Sequence, residues 1–171
     1  KVWTAASLVH LHISNCDIEE NVTLSPFPTV QVLSIRSMSV TNSFFQHFPS
    51  LCHLSLQSVD TLTPEILQRI LYHSPMLSSI HVSQCFSLLQ ADFSHASSAL
   101  TFISLIKGYN LKYISLPPHL LHCDISNNNY ITNDDISSII SGCTYLRNFT
   151  ARECSQVTTF HFSSHHLEYL D

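Results

Sequence analysis

The sequence predicts an α/β solenoid, with a curved parallel sheet on its concave side and helices and irregular segments on its convex side. Two observations support this prediction. One apolar frame, L-x-x-L-x-L, recurs along the whole chain, as expected for a stack of short strands. In addition, two of the segments that join successive frames carry the start signals and the apolar stripe of a helix.

The frame fixes the position of each predicted strand. It starts seven times, and an eighth copy opens near the end of the chain; the starting residues are Leu8, Val30, Leu51, Leu77, Leu100, Leu120, Leu146 and Leu167. Successive starts are 22, 21, 26, 23, 20, 26 and 21 residues apart, within the range of about 20–29 residues that is typical of leucine-rich repeats. The fourth and sixth positions should point into the core and the third and fifth to the opposite face. We therefore expect residues 1–171 to form one leucine-rich-repeat domain of about seven repeats plus a truncated eighth.

The two 26-residue repeats have return segments with helical signals. Thr63 can cap a helix, Pro64 fits its first position, and Glu65 lies near the positive end of its dipole. In the later repeat Thr132 can cap a helix and Gly142 lies where it should end. The predicted buried stripes are Ile66, Leu67, Ile70 and Leu71 in the first helix and Ile136, Ile139, Ile140 and Cys143 in the second.

The 20-residue repeat, which starts at Leu100, is too short for a helical return. Its second half, "NLKYISLPPHL", contains Pro117 and Pro118, which favour an extended backbone. The convex side should therefore mix helices with extended and irregular segments.

The composition excludes most enzyme classes. Hydrophobic residues make up 44% of the chain and charged residues 11%, and the net charge is −5. With only two glycines, Gly108 and Gly142, the chain cannot build a phosphate-cradling loop, a dinucleotide fingerprint or a nucleophile elbow. No apolar run approaches the roughly 18 residues of a membrane helix. We expect a non-enzymatic domain with no cofactor, no nucleic-acid partner and no membrane association.

Two segments carry a family resemblance: "VDTLTPEILQRILYHSPMLSSIHVSQC" and "NNNYITNDDISSIISGCTYLRNFTARECSQVT". They resemble the cysteine-containing leucine-rich repeats of F-box substrate receptors of ubiquitin ligases, whose pattern is roughly C-x-x-I-T-D-x-G-L, an apolar helix, then C-P-x-L and the next strand. Cys16, Cys85 and Cys154 match the cysteine at the ninth repeat position, and Ile131-Thr132 matches the I-T pair. The resemblance implies a cytoplasmic or nuclear module that recognises the substrate of a ubiquitin ligase.

Two alternative functions stay open. The segment "ISLPPHLLHCDISNN" is closer to the short repeats of bacterial effector proteins, so an intracellular immune-receptor or pathogen-effector binding domain is the first alternative. The second is the targeting arm of an enzyme whose catalytic domain lies elsewhere. The chain begins at Lys1 without an initiator methionine, which suggests a piece of a longer chain.

The cysteines and histidines do not form a recognisable metal or catalytic motif. The six cysteines show no C-x-x-C spacing, and Cys16, Cys85 and Cys154 are three repeats apart, too far for disulfides. We expect all six to be reduced, and the three at the ninth position to be small core residues. His10 and His12 share one face of a predicted strand, but His53 and His81 lie two and three strands away, too far for one metal ion, and His161, His165 and His166 form only a loose group, so we expect no metal site. No spacing selects a serine, histidine and aspartate set, so we also expect no catalytic residues.

The candidate binding surface is the concave sheet. Positions two, three, five, seven and eight of the seven frames contain Arg36, Lys107, Arg147 and Arg152 but only Asp124 and Glu153 as acids, a net charge of +2 against −7 for the rest of the chain. We therefore expect a protein partner, acidic at its contact surface. The predicted partner-binding residues are His10, His12, Arg36, His53, His81, Phe102, Ile106, Lys107, Asp124 and Arg152.

Overall fold

A parallel sheet dominates the computed structural model, which describes residues 7–16, 25–159 and 166–171. Its eight strands are β1 (His10–Ser14), β2 (Val32–Arg36), β3 (His53–Gln57), β4 (Ser79–Ser83), β6 (Phe102–Ile106), β8 (His122–Asp124), β9 (Asn148–Thr150) and β10 (Tyr169–Leu170). A smaller two-stranded parallel sheet consists of β5 (Gln90–Asp92) and β7 (Tyr113–Ser115). The strands of the large sheet lie side by side in chain order, each parallel to its neighbours. The predicted α/β class and parallel sheet are therefore confirmed, and one strand corresponds to each frame.

The strand register keeps each repeat position aligned across the sheet. His10 lies opposite Val32, which lies opposite His53, and the same third-position row continues through Ser79 and Phe102. Side chains of the same repeat position are therefore direct neighbours, about 4.8 Å from strand to strand.

The inward-pointing frame positions form one core with the apolar faces of the helices. Every first, fourth and sixth position of the second to sixth repeats is buried. In the first and seventh repeats, Leu8, Leu11, Ile13 and Ala151 are only partly buried and pack against the edge of this core. The predicted alternation of inward and outward positions is confirmed, because a strand buries every second side chain on one face.

Both predicted helices form, and both begin at the predicted threonine caps. Helix α1 spans Pro64–His73, and the Thr63 hydroxyl accepts a hydrogen bond from the backbone N–H of Ile66 (3.4 Å). Helix α2 spans Asn133–Gly142. Here Thr132 and Asp135 cap each other reciprocally: the Asp135 carboxylate accepts from the Thr132 N–H (2.9 Å) and the Asp135 N–H donates to the Thr132 hydroxyl (3.3 Å). No helix among the described residues has the length and apolar character needed to cross a bilayer.

The short repeat returns in an extended conformation, as predicted, and also forms the small sheet, which the sequence does not predict. Its β7 strand pairs with β5 of the preceding repeat. The Gln68 side chain of α1 donates a hydrogen bond to the carbonyl of Asp92 in β5 (2.7 Å) and so links the first helix to this sheet. A single 3-10 turn, Phe45–His47, serves as the return element of the second repeat and packs against α1.

Every repeat turns away from the sheet through a residue with a left-handed backbone. The positive-φ residues are Asn15, Ser37, Ser58, Gln84, Lys107, Asn127 and Glu153, which occupy the eighth position of the seven repeats. None is glycine. The N–H groups of all of these residues except Glu153 extend the parallel ladder, as where Asn127 donates to the carbonyl of Arg152 in the following repeat (2.8 Å). This bond offsets part of the cost of about 1–2 kcal/mol for a left-handed residue with a Cβ atom.

The cysteines only partly follow the prediction. All six are free thiols, and Cys85 and Cys154 are buried at the ninth position as expected. The prediction is wrong for Cys16, which directly follows β1, the edge strand of the described sheet, and is exposed. Of the cysteines outside the ninth position, Cys123 and Cys143 are buried and Cys52 is half-buried.

Candidate functional site

The candidate site is the open face, which we define as the face formed by the third-, fifth- and seventh-position side chains of β1 to β4, β6, β8 and β9. The buried residues of α1 and α2 belong to the same core cluster as the inward strand positions, so both helices lie on the core side of the sheet. The open face is the opposite side. Most of its larger side chains are exposed or half-exposed.

All ten predicted residues lie on or directly after strands of the large sheet, but they do not form one compact cluster. His12 in β1 and Asp124 in β8 are separated by five strand spacings, roughly 24 Å at about 4.8 Å each. Lys107 and Arg152 lie directly after β6 and β9. The remaining members are His10, Arg36, His53, His81, Phe102 and Ile106, each within a strand.

Serine hydroxyls on neighbouring strands orient two of the histidines. The Nδ1 atom of His53 shares a hydrogen bond with the hydroxyl of Ser79 (2.8 Å), and Nδ1 of His81 shares one with the hydroxyl of Ser104 (2.9 Å). In both pairs the two residues lie directly opposite each other in the sheet register. These bonds limit the ring orientations, so less rotamer freedom is lost when a partner contacts the imidazoles.

The position of His81 in the sheet lowers the pKa of its imidazole. Its imidazole is half-buried, and the loss of hydration disfavours the charged form, which lowers its pKa. The nearby Asp124 carboxylate opposes this effect but is the smaller influence. That carboxylate is itself fixed, because it accepts hydrogen bonds from the N–H (3.0 Å) and the hydroxyl (2.7 Å) of Ser126.

An exposed aromatic ring at the beginning of β6 lies beside a half-buried imidazole on the open face. Phe102 in β6 is 40% exposed, and its ring centroid lies 6.1 Å from that of His122 in β8. Ile106, at the end of the same strand as Phe102, is half-buried. A rigid aromatic ring with partly exposed apolar neighbours is the composition that most often carries binding energy at protein interfaces.

The positive charge predicted for this face is largely compensated. Arg152 forms an ion pair with Asp171 and a hydrogen bond to the Tyr169 hydroxyl (3.2 Å), and Arg147 lies 3.6 Å from Glu168. These acids belong to the eighth frame, which the charge count over seven frames left out. When these acids are included, the count becomes four basic and four acidic residues: Arg36, Lys107, Arg147 and Arg152, and Asp124, Glu153, Glu168 and Asp171. The net excess of +2 disappears, and of the four basic residues only Arg36 and Lys107 make no ion pair with any described residue.

The described part of the chain holds no group of three metal-ligating side chains. The buried thiols are also unsuited to nucleophilic chemistry, because burial raises the pKa of Cys85 and of Cys143 to about 11. The open face therefore offers contact chemistry, through imidazole, hydroxyl, aromatic and guanidinium groups.

Sequence reasoning missed a second group of exposed side chains, beyond the ends of β4, β6 and β8. Phe86, Tyr109 and Tyr130 are exposed there, at the tenth or eleventh position of their repeats. The sequence does show aromatic residues at these positions. The repeat frame, however, does not indicate whether a side chain beyond the ninth position is buried or exposed. No protein-family model matches the chain, and no curated protein is significantly similar to it.

Proposed function

We propose that this chain is a leucine-rich-repeat solenoid that binds a protein partner on its open face. Two features of the fold support the solenoid. The strands of the large sheet follow chain order at constant register, and the return segments between β2 and β9 contribute buried residues to the same core as the strands. Chains built from such repeats contact mainly their nearest neighbours in the stack and expose one long sheet face, which is the usual binding surface of the class.

The observation that carries the binding function is the open face around Phe102. The exposed Phe102 ring lies beside the His122 ring there. Two positions further along the strands, His81 and Asp124 lie on either side of Ser104, and hydrogen bonds hold the His81 imidazole and the Asp124 carboxylate in place. A protein that covered this region would bury the Phe102 ring and find hydrogen-bonding groups already in place. Preorganised polar groups around an apolar centre favour binding, since little conformational entropy is lost.

The more specific form of the proposal is substrate recognition in an F-box-type ubiquitin ligase complex in the cytoplasm or nucleus. Its support is the resemblance of the two 26-residue repeats, together with the threonine-capped helices and the buried ninth-position thiols of Cys85 and Cys154. No residue of the chain is assigned to ubiquitin transfer. Fold analogy alone carries this step.

Deletion of one repeat tests the solenoid. Removal of residues 77–99, which is one full frame-to-frame period, should leave a chain that still unfolds cooperatively, because the following repeat can take the place of the deleted one. Removal of residues 77–88 alone is the matched control and should unfold the chain, because the period is broken. If both deletions abolish cooperative unfolding, the packing is not that of a solenoid.

Single substitutions on the two sides of the sheet test which side binds the partner. We expect Phe102→Ser and Arg36→Glu, tested separately, to weaken binding of a cellular partner to the full-length chain by well over 1 kcal/mol. Arg69→Glu, on the exposed side of α1, should change the affinity little. Affinity measurements with the purified partner decide between the faces: a larger loss for Arg69→Glu would place the partner on the helical side. For the specific proposal, the full-length chain should also bind an F-box adaptor protein.

A further inference from the structure

Exposed aromatic side chains gather beyond the carboxyl ends of three neighbouring strands of the large sheet. We call this surface the aromatic edge and define it by Phe86, Leu89, Tyr109, Lys112, Tyr113 and Tyr130. Phe86 and Leu89 follow β4, the next three residues follow β6, and Tyr130 follows β8. The aromatic edge lies at positions ten to fourteen of the repeats; Lys107, at the eighth position, lies between this surface and the open face and contributes charge to both.

Contacts between neighbouring repeats link several of these residues. The rings of Phe86 and Tyr109 stack, with centroids 5.8 Å apart and an angle of 17° between their planes. The Nζ atom of Lys112 lies 5.4 Å from the centroid of the Tyr130 ring. The backbone N–H of Lys112 also donates to the carbonyl of Leu89 (2.9 Å). Each of the three repeats is therefore linked to the next one at this surface.

The exposure of this patch is unusual for its residue types. Phe86, Leu89, Tyr109, Tyr113 and Tyr130 are each between 39% and 51% exposed. Single exposed apolar residues are common on protein surfaces, but a contiguous group of them usually marks a contact site. Burial of this group by a partner would remove apolar area from water and would stabilise the complex.

Charge identifies the kind of partner. Lys107 and Lys112 are the only lysines in the described part of the chain, and both lie within three residues of Tyr109. Neither forms an ion pair with a described residue. The aromatic edge contains no carboxylate, and Asp92 in the adjacent β5 strand, whose carboxylate accepts from the N–H of Ser94 (2.9 Å), forms no ion pair with either lysine. A pair of unmatched cations beside apolar rings is complementary to acidic residues interleaved with apolar ones.

We propose that the aromatic edge is a docking site for an acidic peptide segment of another protein, with apolar side chains against the rings and carboxylates near Lys107 and Lys112. The charge of the chain favours a peptide over single-stranded nucleic acid. Binding of nucleic acid depends on several contacts between cations and phosphates, whereas the chain has a net charge of −5 and two lysines lie near this surface. The proposal does not depend on the function assigned to the open face.

A peptide selection tests this site. The purified chain is used to select binders from a random dodecapeptide library, and the affinity of the enriched peptides is then measured by fluorescence anisotropy. The enriched sequences should place Asp or Glu next to Trp, Phe or Leu. Lys112→Glu and Tyr109→Ser should each weaken their binding by about tenfold, the effect of losing one good contact. Circular dichroism checks that both variants stay folded.

Two controls separate this site from other surfaces. Tyr72→Ser changes an exposed tyrosine on α1, and Phe102→Ser changes the exposed ring of the open face. Neither substitution should change the affinity for the selected peptides. The proposal is overturned if the enriched peptides are not acidic, if Lys112→Glu leaves their affinity unchanged, or if Phe102→Ser abolishes binding. Tighter binding of dodecathymidylate than of any selected peptide would also overturn it.

Discussion

The side-chain oxygen Oδ1 of Asn128 lies 2.6 Å from the point that a Cβ atom on residue 108 would occupy. Gly108 and Asn128 hold the ninth position of consecutive repeats. Asn128 is completely buried, and its Nδ2 group donates to the carbonyls of Leu105 (2.7 Å) and Ile125 (2.6 Å), so it cannot move aside without losing those bonds. Close approach, and not a left-handed backbone, therefore explains the glycine.

Gly108→Ala should lower the free energy of unfolding by about 2–3 kcal/mol, because the added methyl group overlaps a fixed buried amide. Gly142→Ala is the matched control: nothing lies within 4 Å of its added Cβ, and alanine favours the helix. The control should be neutral or stabilising by up to about 1 kcal/mol. Urea unfolding of both variants measures the difference, and equal effects would show that residue 108 has room for a side chain.

Thr132→Ala should lower the free energy of unfolding by about 1 kcal/mol, because α2 loses the hydroxyl of its capping box. Thr132→Ser keeps the oxygen that accepts from the Asp135 N–H and should retain most of the stability. Urea unfolding of both variants provides the comparison. A serine variant as unstable as the alanine variant would show that packing of the threonine methyl group, and not the cap, is responsible.

Thiol labelling should separate the six cysteines into two classes. Cys16 is exposed and Cys52 half-buried, so both should react with N-ethylmaleimide in native buffer, Cys16 first. The other four are buried, and burial raises their pKa values, so little thiolate forms: Cys85, Cys123, Cys143 and Cys154. These should react only after unfolding in guanidinium. Mass spectrometry of labelled peptides follows each site, and native labelling of Cys85 as fast as that of Cys16 would contradict the burial.

The stability contribution of His81 should depend on pH. Its pKa is lowered from 6.5 in the folded chain, mainly by burial, so the unfolded chain binds the proton more readily. The contribution is therefore complete above about pH 6.5 and is lost as the pH falls through the folded-state pKa. Burial also lowers the pKa of His47, and because His47 is present in both the parent chain and the His81 variant described next, its effect is common to both.

His81→Asn removes this proton uptake while leaving a group that can bond to the Ser104 hydroxyl. Urea unfolding at about pH 7.5 and pH 5.5 should therefore show a larger loss of stability for the parent chain than for the variant. A variant that loses as much stability as the parent over this range would contradict the assigned pKa direction.

The sequence predicts the elements whose signals are local. The frame places one strand at each repeat, because alternate burial of apolar residues requires a strand. Thr63 and Thr132 mark the beginnings of both helices, since a threonine hydroxyl can replace the missing acceptor at a helix start. These signals need no information about what packs against them.

The missed features depend on neighbours in space. The eighth-position residues include Ser37, Gln84 and Lys107, whose types give no sign of a left-handed backbone; their N–H groups join the parallel ladder to the next repeat, which favours that backbone. Phe86 and Tyr109 are distant in sequence and stack only because their strands are adjacent. The ion pair of Arg152 with Asp171 likewise appears only when the eighth strand is placed beside the seventh.

Binding of a protein partner on the open face is tested most directly by site-specific photocrosslinking in the full-length chain, expressed in its own cells. Benzoylphenylalanine replaces Phe102 on the open face in one sample and Tyr72 on the helical side in another; both positions are exposed and aromatic. We predict one dominant protein adduct from position 102 and a much weaker or absent adduct from position 72. A dominant adduct from position 72, with none from position 102, would contradict the assignment of the binding function to the open face.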